Sequence, residues 1–453
     1  MNQLKLLSDV IPSDWKIETL DKLTETIFVG TDPVGGKESH SLIKTDYRII
    51  QSSPIFDGFL DVSKVGYIDE EIYNSLISVS LKDSDVLLNQ LGNGVTFARS
   101  CIVPRKMLPA IITRSVGCIR CNSEKLDPWF LNAFLILPST KKYIESFDSG
   151  SSRRAIDGSK MRQFLIPHPK KIDVQKSIGK FYKTILDKIE VNNKINGELE
   201  AMAKLIYDYW FVQFDFPFDF AQVKPSANGK PYKSSGGKMI FNEELKREIP
   251  NGWDVKELKS IAECIMGQSP KGSSYNQDGI GMPLLNGPAD YENGALKGRT
   301  YTTEPKRTCQ KDDLVLCIRA TIGNLVYSEQ EFCLGRGVAA VRPNDSKMSE
   351  LIHYYLLQEI ERFKIQATGS IIRGITKSDL TDSKCFIPHD ELIQSFHNKV
   401  KPMFDNIRVN KKENQKLAEL RDWLLPMLMN GQVTVGEAKE QLGMVAEEGE
   451  KYQ

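Results

Sequence analysis

Two cysteines of this sequence have the spacing of a metal site. Cys118 and Cys121 form a C-x-x-C pair. Structural zinc sites of this style add a second cysteine pair or two nearby histidines. The sequence holds no second pair, and its five histidines do not cluster. We therefore expect no metal ion, and we expect the cysteines to be buried apolar residues.

Sequence motifs that carry catalysis are missing as well. Gly237-Lys238 is followed by Met239, and position 232 is Tyr, so the nucleotide-binding pattern G-x-x-x-x-G-K-[ST] is absent. The sequence also lacks the G-x-S-x-G pattern of a nucleophilic serine. It lacks the Asp/Asn-Pro-Pro-aromatic tetrapeptide that amino-methyltransferases use. These absences favour a binding protein over an enzyme.

A basic segment is a further candidate for a functional surface. Residues 99–125 include one acid, Glu124, and six bases: Arg99, Arg105, Lys106, Arg114, Arg120 and Lys125. Such a surface can face phosphates, or it can be an ordinary solvated face. The net charge of +1 neither favours nor excludes nucleic acid. A hydrophobic content of 40% is that of a soluble globular protein.

An internal repeat organises the 453 residues, which are too many for a single core. Residues 11–20 (IPSDWKIETL) match residues 249–258 (IPNGWDVKEL). Four more pairs follow in the same order: 85–88 with 313–316, Gly150-Ser151 (then Arg154 and Ile156) with Gly369-Ser370 (then Arg373 and Ile375), 166–168 with 387–389, and 187–192 with 405–410. Five ordered matches indicate a duplication. Between residues 21 and 99 the copies hardly resemble each other, which is typical of a shared scaffold with different recognition loops.

Each copy ends in a helical pattern whose seam positions step by four and three, as in a coiled coil. The first seam consists of Ile178, Tyr182, Ile185, Ile189, Asn192, Asn196, Leu199, Ala203, Ile206 and Trp210. The second consists of Phe396, Val400, Met403, Ile407, Asn410, Asn414, Leu417, Arg421, Leu424 and Leu428. Each helix has roughly 35 residues and a length near 50 Å. A spacer of that length can hold two recognition domains about one turn of DNA apart.

Paired asparagines interrupt both seams at the same mid-helix sites. They are Asn192 and Asn196 in the first helix, and Asn410 and Asn414 in the second. An Asn inside an apolar seam fixes register and partner at a cost in stability. The chain permits either direction of pairing; we favour antiparallel helices, because the asparagine pairs then coincide. Pro402 and Pro426 are expected to bend or end the second helix.

The repeat divides the chain into domains. We expect a first globular domain over 1–168, a long helix over 169–216, a linker over 217–248, a second globular domain over 249–389, a second long helix over 390–431 and a polar tail over 432–453. Both globular domains mix short strands with a helical run. In the second, the glycine-rich stretch 267–298 suits the recognition of base edges, although an ordinary surface loop has the same composition.

Taken together, these features resemble the specificity subunits of type I restriction–modification systems. The most specific pieces are residues 189–196 (IEVNNKIN) running into Tyr209-Trp210-Phe211, and residues 229–239 (GKPYKSSGGKM) leading to 249–253 (IPNGW). The resemblance covers nearly the whole chain. It implies an α+β fold with a pseudo-two-fold internal repeat, in which two mixed α/β target-recognition domains are separated by two long antiparallel helices that form a coiled coil.

The resemblance also implies partners. Double-stranded DNA would carry an asymmetric two-part site, and each domain would recognise one half. The helices would dock two modification subunits, which supply S-adenosylmethionine chemistry at adenine N6. Restriction subunits would add translocation and cleavage that depend on ATP and Mg. We expect no cofactor and no catalysis in this chain itself.

Residues that contact DNA are expected where the copies differ, together with the shared arginines Arg154 and Arg373. The shared pair suits phosphate contact or loop structure better than base contact. The full set is Asn89, Gln90, Asn93, Arg99, Arg105, Arg114, Arg153 and Arg154 in the first copy, and Gln268, Ser269, Lys271, Tyr275, Arg319, Arg336 and Arg373 in the second. Arg or Lys can donate to guanine O6 and N7, and Asn or Gln can bridge adenine.

Two other functions stay open. A self-contained DNA methyltransferase would act without partners, and the missing tetrapeptide argues against it. A two-headed scaffold or glycan-binding adhesin would show no salt-sensitive DNA binding. No apolar run reaches the roughly 18 residues that a membrane span needs, and the first ten residues lack the apolar core of a signal peptide. We therefore expect a cytoplasmic protein without membrane contact.

Overall fold

The computed structural model describes residues 12–35, 43–93, 95–148, 154–219, 221–226, 228–292, 294–319, 322–366 and 374–450. The chain forms two compact units. The first unit comprises residues 1–195 and 408–453, and the second unit comprises residues 196–407.

The first unit contains short strands, short helices and parts of two long helices. Its strands are β1 (Trp15–Thr19), β2 (Thr24–Val29), β3 (Tyr47–Ile50), β4 (Ile55–Phe56), β5 (Phe59–Leu60), β6 (Gly66–Ile68), β7 (Val86–Asn89), β8 (Leu91–Gly92), β9 (Ser100–Ile102), β10 (Ala110–Ile112), β11 (Val116–Cys121), β12 (Arg154–Ala155) and β13 (Leu165–Pro169). Its helices are α1 (Leu20–Leu23), α2 (Glu70–Ser75), α3 (Pro128–Leu135), α4 (Pro138–Glu145), α5 (Gly158–Arg162) and the start of α6 (Ile172–Tyr207).

The second unit begins within α6, which continues as a π-helical turn at Asp208–Val212. Its strands are β14 (Pro217–Asp219), β15 (Lys224–Pro225), β16 (Lys230–Pro231), β17 (Met239–Asn242), β18 (Arg247–Pro250), β19 (Asp254–Glu257), β20 (Ala262–Met266), β21 (Tyr275–Asn276), β22 (Met282–Leu285), β23 (Tyr291–Glu292), β24 (Ala295–Leu296), β25 (Thr300–Thr302), β26 (Thr308–Cys309), β27 (Leu314–Cys317), β28 (Leu325–Tyr327), β29 (Phe332–Leu334), β30 (Val338–Pro343) and β31 (Lys384–Ile387). The remaining helices are α7 (Leu258–Ile261), α8 (Ser349–Gln366), α9 (Lys377–Thr381), α10 (Asp390–Met429) and, in the first unit, α11 (Val435–Glu450).

A four-stranded antiparallel sheet, here called the main sheet, has the same topology in both units. Its strand order is β2-β11-β7-β9 in the first unit and β20-β30-β27-β28 in the second. A second sheet, the side sheet, has the order β10-β3-β6 in one and β21-β25-β22-β29-β26 in the other. Each side sheet contains one parallel pair, β3 with β10 or β22 with β29. The sequence repeat is therefore a repeat of the fold.

A buried ion pair lies at the same place in each main sheet. Arg120 of β11 donates from Nε and Nη2 to the two carboxylate oxygens of Asp85, both at 2.8 Å. Arg342 of β30 donates in the same way to Asp313, at 2.9 and 2.7 Å. Each carboxylate also accepts the backbone N–H of the residue three positions earlier, at 2.7 Å. Hydrogen bonding to the carboxylate raises the pKa of each arginine, and the bidentate pairs tie adjacent strands together.

The long helices run antiparallel to each other within each unit. In the first unit, the early part of α6 shares a buried cluster with the late part of α10, through Ile178, Tyr182, Ile185, Leu417, Leu424 and Leu428. In the second unit, the late part of α6 packs on the early part of α10: Tyr207 and Trp210 lie 6.2 and 6.0 Å from Phe396 between ring centroids. Burial of the seam is what stabilises helices of this length.

A polar layer interrupts the seam in the first unit. Asn192 donates from Nδ2 to Asn414 Oδ1 at 2.9 Å and to Glu413 Oε2 at 2.7 Å. Asn414 in turn donates to Asn193 Oδ1 at 2.9 Å. Asn196 in the second unit is buried, and Asn410 in the first is half-buried. The layer specifies one register, because a shift of either helix would leave buried amides without partners.

The structure contradicts an end of the second helix at either proline, and it contradicts one match of the repeat. Helix α10 runs through Pro402 and Pro426 without ending at either; both prolines are exposed, and the packing of the seam outweighs the lost backbone hydrogen bonds. The Ile-Pro-His match is out of structural register. Because β1 pairs Lys16 with His168 and β19 pairs the equivalent Asp254 with Ile387, His168 corresponds to Ile387 and not to His389.

The segments expected as linker and tail contain regular structure. Residues 217–248 include β14 to β17, and Tyr232 in this stretch is buried. Its ring stacks on Phe216 at 4.7 Å, and Phe216 lies 5.4 Å from Trp253. Residues 432–453 include α11, whose Ala438 is buried in the core of the first unit. A few apolar anchors order segments whose overall composition is polar.

The ion pair of the second unit predicts a large loss of stability when it is broken. Replacing Asp313 by Ala removes the bidentate, buried partner of Arg342 and leaves only the exposed Glu263, 3.1 Å from its Nη1, so we expect a loss of about 3 kcal/mol. Glu243→Ala removes an exposed ion pair with Lys246 and should cost less than about 1 kcal/mol. Urea unfolding of the full chain, followed by circular dichroism, measures both. Equal midpoints for the two variants would contradict the structural role of Asp313.

Candidate nucleic-acid interface

An arginine occupies the same turn in both units. The chain passes from the side sheet to the main sheet through residues 113–115 in the first unit and 335–337 in the second. The turns close alike: Val116 N donates to Thr113 O at 2.9 Å, and Val338 N donates to Gly335 O at 3.2 Å. Arg114 and Arg336 are thus the central residues of equivalent turns.

Each turn arginine is held by one side chain of the loop that follows the edge strand β2 or β20. The backbone N–H of Arg336 and its Nε both donate to Ser269 Oγ, at 3.4 and 3.2 Å. The backbone N–H of Arg114 donates to Asp32 Oδ1 at 3.3 Å, and its Nε lies 2.7 Å from Asp32 Oδ2. The same two groups of each arginine face this residue, but the Arg336 Nε contact is a hydrogen bond to a neutral hydroxyl, and the Arg114 Nε contact is an ion pair with a carboxylate.

Glycines allow these loops to approach the turns. The N–H of Gly267 donates to Val338 O at 3.0 Å, and that of Gly30 donates to Val116 O at 3.1 Å. A Cβ atom at Gly267 would lie 2.0 Å from the oxygen of Gly335, and one at Gly30 would lie 2.2 Å from that of Ile112. No side chain fits at either position, so the close contact between loop and turn requires glycine.

In the second unit the turn borders a cleft of about 640 Å³. The cleft is lined by Met266, Gly267, Ile318, Arg319, Arg336, Gly374, Ile375, Thr376 and Lys377. This lining includes three cations and no carboxylate. Such a concave basic surface attracts an anionic ligand.

The other residues predicted for the second unit differ in exposure. Gln268 is exposed, and its backbone N–H donates to Leu334 O at 2.7 Å. Lys271 is exposed, whereas Tyr275 is half-buried and donates its hydroxyl to Pro270 O at 3.4 Å. The fold thus brings Gln268, Ser269, Arg319 and Arg336 of the predicted set together.

Two residues predicted for the first unit are buried. The Asn89 side chain donates from Nδ2 to Ser52 O at 3.0 Å and to Thr96 O at 3.1 Å. The Gln90 side chain donates from Nε2 to the carbonyl of Arg114 at 2.5 Å. Their burial argues against direct contact with DNA. They support the loops and the turn from inside.

The remaining predicted residues of the first unit lie nearer the surface. Asn93 is exposed and accepts two hydrogen bonds from Thr96. Arg99 lies over the ring of Phe56 at 4.8 Å, and Arg105 is exposed. Arg154 is half-buried, with an ion pair to Glu145 and a ring contact to Phe97. These contacts hold Arg154 in its own loop, while Arg153 and Arg373 lie outside the described residues.

Sequence reasoning missed Asp32 and Lys377. It also treated Arg114 and Arg336 as unrelated, because the match between copies is weak there. A signal was present: each of these arginines precedes the buried arginine of its unit, Arg120 or Arg342, by six residues. That spacing would have aligned the two turns.

The described residues contain no group of three or more His, Cys, Asp or Glu side chains placed to hold a metal ion. Cys118 is buried and Cys121 is half-buried, and burial raises the pKa of both thiols. Near the cleft, burial raises the pKa of Cys264 to about 11. Within the same part of the chain, every helix is too short or too polar to cross a bilayer.

Comparison with known proteins places both copies in one family. The model of the type I restriction modification DNA specificity domain matches residues 38–201 and again 250–419. The chain is 26% identical over 439 residues to the putative type I restriction enzyme MjaX specificity subunit of Methanocaldococcus jannaschii, covering 94% of this chain and 95% of that protein. It is 23% identical over 412 residues to the type I restriction enzyme HindI specificity subunit of Haemophilus influenzae, covering 78% and 87%.

A solved structure has the same fold. The crystal structure of the S subunit of a type I restriction–modification system from M. genitalium superposes with a TM-score of 0.59 at 16% identity, over 94% of this chain and 98% of that one. The family matches cover both copies of the repeat and reach into both long helices. The resemblance inferred from the sequence is therefore confirmed, and this chain belongs to the type I restriction–modification DNA specificity family, with two copies of the specificity domain.

Proposed function

We propose that this chain is the non-catalytic DNA-specificity subunit of a type I restriction–modification complex, in which each unit recognises one half of an asymmetric DNA site. The observation that supports this most directly is the duplicated turn arginine with unequal neighbours. Arg114 lies beside Asp32, and Arg336 lies beside Ser269. The same turn with a different residue beside its arginine is what the recognition of two different half-sites requires.

The cleft of the second unit supplies the charge that double-stranded DNA requires. Arg319 and Lys377 are placed to meet phosphates, which fix the position of the duplex. The exposed side chains of Gln268 and Lys271 lie on the adjoining loop, where they can reach base edges. Binding would therefore combine a salt-sensitive term with a sequence-dependent one.

Exposed apolar side chains on the long helices support the docking of modification subunits. In the second unit, Met202, Leu205, Tyr209 and Val212 recur every three or four residues on α6 and its π-helical end, and Leu205 is 67% exposed. In the first unit Trp423, at the equivalent position of α10, is 53% exposed. Such a stripe fits the apolar face of a partner helix.

Two docking sites of this kind would hold two modification subunits. These partners would bring S-adenosylmethionine and methylate adenine N6, while restriction subunits would add cleavage driven by ATP and Mg. No step of that chemistry falls to this chain. We place the complex in the cytoplasm, where it has access to chromosomal DNA.

Charged substitutions on the stripe should weaken this assembly. Leu205→Glu or Trp423→Glu would place a carboxylate in an apolar contact, so each variant is expected to bind one modification subunit instead of two. Phe241→Glu serves as the matched control, since Phe241 is 57% exposed on β17. Analytical ultracentrifugation gives the stoichiometry. Two bound subunits in both variants would refute this docking surface.

An exchange of recognition segments tests the function itself. Replacing residues 21–160 by those of another family member should change only one half of the recognised DNA sequence. Sequencing of methylated DNA from cells that express the hybrid complex reports both halves. A change in both halves, or in neither, is incompatible with the division between the units. Methylation by the purified chain alone would indicate a complete methyltransferase, and the absence of salt-sensitive DNA binding with partners present would indicate a scaffold.

Helix length should set the spacer between the half-sites. One heptad inserted into the middle of both α6 and α10 adds about 10 Å at 1.5 Å per residue, so the spacer should lengthen by roughly three base pairs at 3.4 Å each. A heptad in α6 alone is the control, because it breaks the pairing of Asn192 with Asn414 and should abolish specific methylation. Unchanged spacing in the double insertion would rule out the helices as a ruler.

A further inference from the structure

The two turn arginines present the same part of the guanidinium group. Nε is engaged by the adjacent loop, at 2.7 Å from Asp32 for Arg114 and 3.2 Å from Ser269 for Arg336. Among the residues that the structure describes, Nη1 and Nη2 of either arginine make no hydrogen bond. The Arg114 side chain is 76% exposed, and Arg336 is exposed at the cleft. Each turn therefore offers the outer fork of an arginine to a ligand.

This fork has the geometry of a guanine contact. Two parallel N–H donors fit O6 and N7 at the major-groove edge of guanine, the commonest specific contact between proteins and DNA. A phosphate can accept the same fork. Arg319 and Lys377 already supply cations for phosphate contact in the same cleft, however.

Restraint of the side chain favours the base over the phosphate. The backbone N–H of each arginine donates to the neighbouring residue; Arg336 Nε donates to the same residue, and Arg114 Nε forms an ion pair with it, so each guanidinium is restrained before DNA arrives. The turn itself joins two sheets, one of which is locked by the buried ion pair of Arg120 or Arg342. A donor fixed at both its root and its Nε suits a contact that depends on direction.

We propose that Arg114 and Arg336 are equivalent specificity-determining residues, each of which recognises one guanine in the half-site of its own unit. Asp32 and Ser269 are the positioning residues that orient them. The inference rests on the proposed function, because it names a base within each half-site. The other bases of each half-site fall to the loops that differ between the units.

The test uses the full complex with its modification subunits and the DNA sequence that it methylates. Each guanine of the two half-sites is replaced in turn by 7-deazaguanine, which lacks the N7 acceptor, and binding is measured over a range of salt concentrations. One substitution in each half-site should weaken the wild-type complex about five- to tenfold. Arg336→Ala should weaken binding about 10- to 100-fold and should no longer respond to 7-deazaguanine at its own position. Arg114→Ala should behave likewise at the other half-site.

Lys377→Ala is the control for phosphate contact. It should weaken specific and non-specific binding alike. It should also reduce the slope of log binding constant against log salt concentration by about one, whereas Arg336→Ala should leave that slope nearly unchanged. Retained discrimination at the first half-site shows that Arg336→Ala is folded. For the positioning residue, Ser269→Ala should reduce discrimination against 7-deazaguanine two- to threefold, and Ser269→Thr should restore it.

Two results would overturn the proposal. One is that the losses of binding caused by Arg336→Ala or Arg114→Ala and by 7-deazaguanine simply add at every guanine. A half-site that contains no guanine would have the same force. The other is an Arg336→Ala variant that matches Lys377→Ala in its salt slope, which would make Arg336 a phosphate contact. Failure of the proposed function looks different, because the wild-type complex would then bind all duplexes equally.

Discussion

The buried ion pair between Asp85 and Arg120, with its copy between Asp313 and Arg342, is the constraint on which both recognition surfaces depend. Each carboxylate is buried and receives two guanidinium hydrogen bonds and a backbone N–H. An unpaired charge there would be strongly destabilising, so adjacent strands have one register. Arg120 and Arg342 lie towards the end of their strands, and the turn arginines precede them by six residues, roughly 20 Å along an extended chain. A structural arginine therefore determines where an exposed arginine is presented.

The long helices follow the same logic with amides in place of charges. Most of the seam is apolar and would tolerate a shift of one heptad with little loss of buried area. Asn192 and Asn414 remove that freedom, because their amides and Glu413 satisfy one another in only one alignment. Lys188, 3.3 Å from Glu413, extends the network to the surface. Register is thus fixed by polar groups, while most of the stability comes from apolar burial.

Sequence reasoning succeeded where periodicity carries the information. The heptad pattern predicted both long helices, and ordered matches predicted the duplicated fold. It failed where tertiary contacts decide. Asn89 ends the buried strand β7 and Gln90 follows it; both were expected to contact DNA, but their side chains are buried and donate to Ser52, Thr96 and Arg114. The side sheet, which brings the turn to the main sheet, was invisible because its strands are short and its pairs are distant in sequence.

The two units share a frame but hold charge differently around the turn. Ile156 N donates to Gln90 O in the first unit, and Ile375 N donates to Ile318 O in the second. These equivalent hydrogen bonds align the two units. In that alignment Leu91 corresponds to Arg319, and Gly158 corresponds to Lys377. The first unit therefore lacks two cations that the second places beside its turn, and the charge of Arg114 is offset by Asp32. Under the proposed function, attraction to the DNA backbone near the turn would be concentrated in the second unit. Around the first turn, base discrimination would then depend more on hydrogen-bond geometry than on charge. The two copies of a duplicated scaffold can thus differ in the charge around the turn, while the strands that position the arginines stay the same.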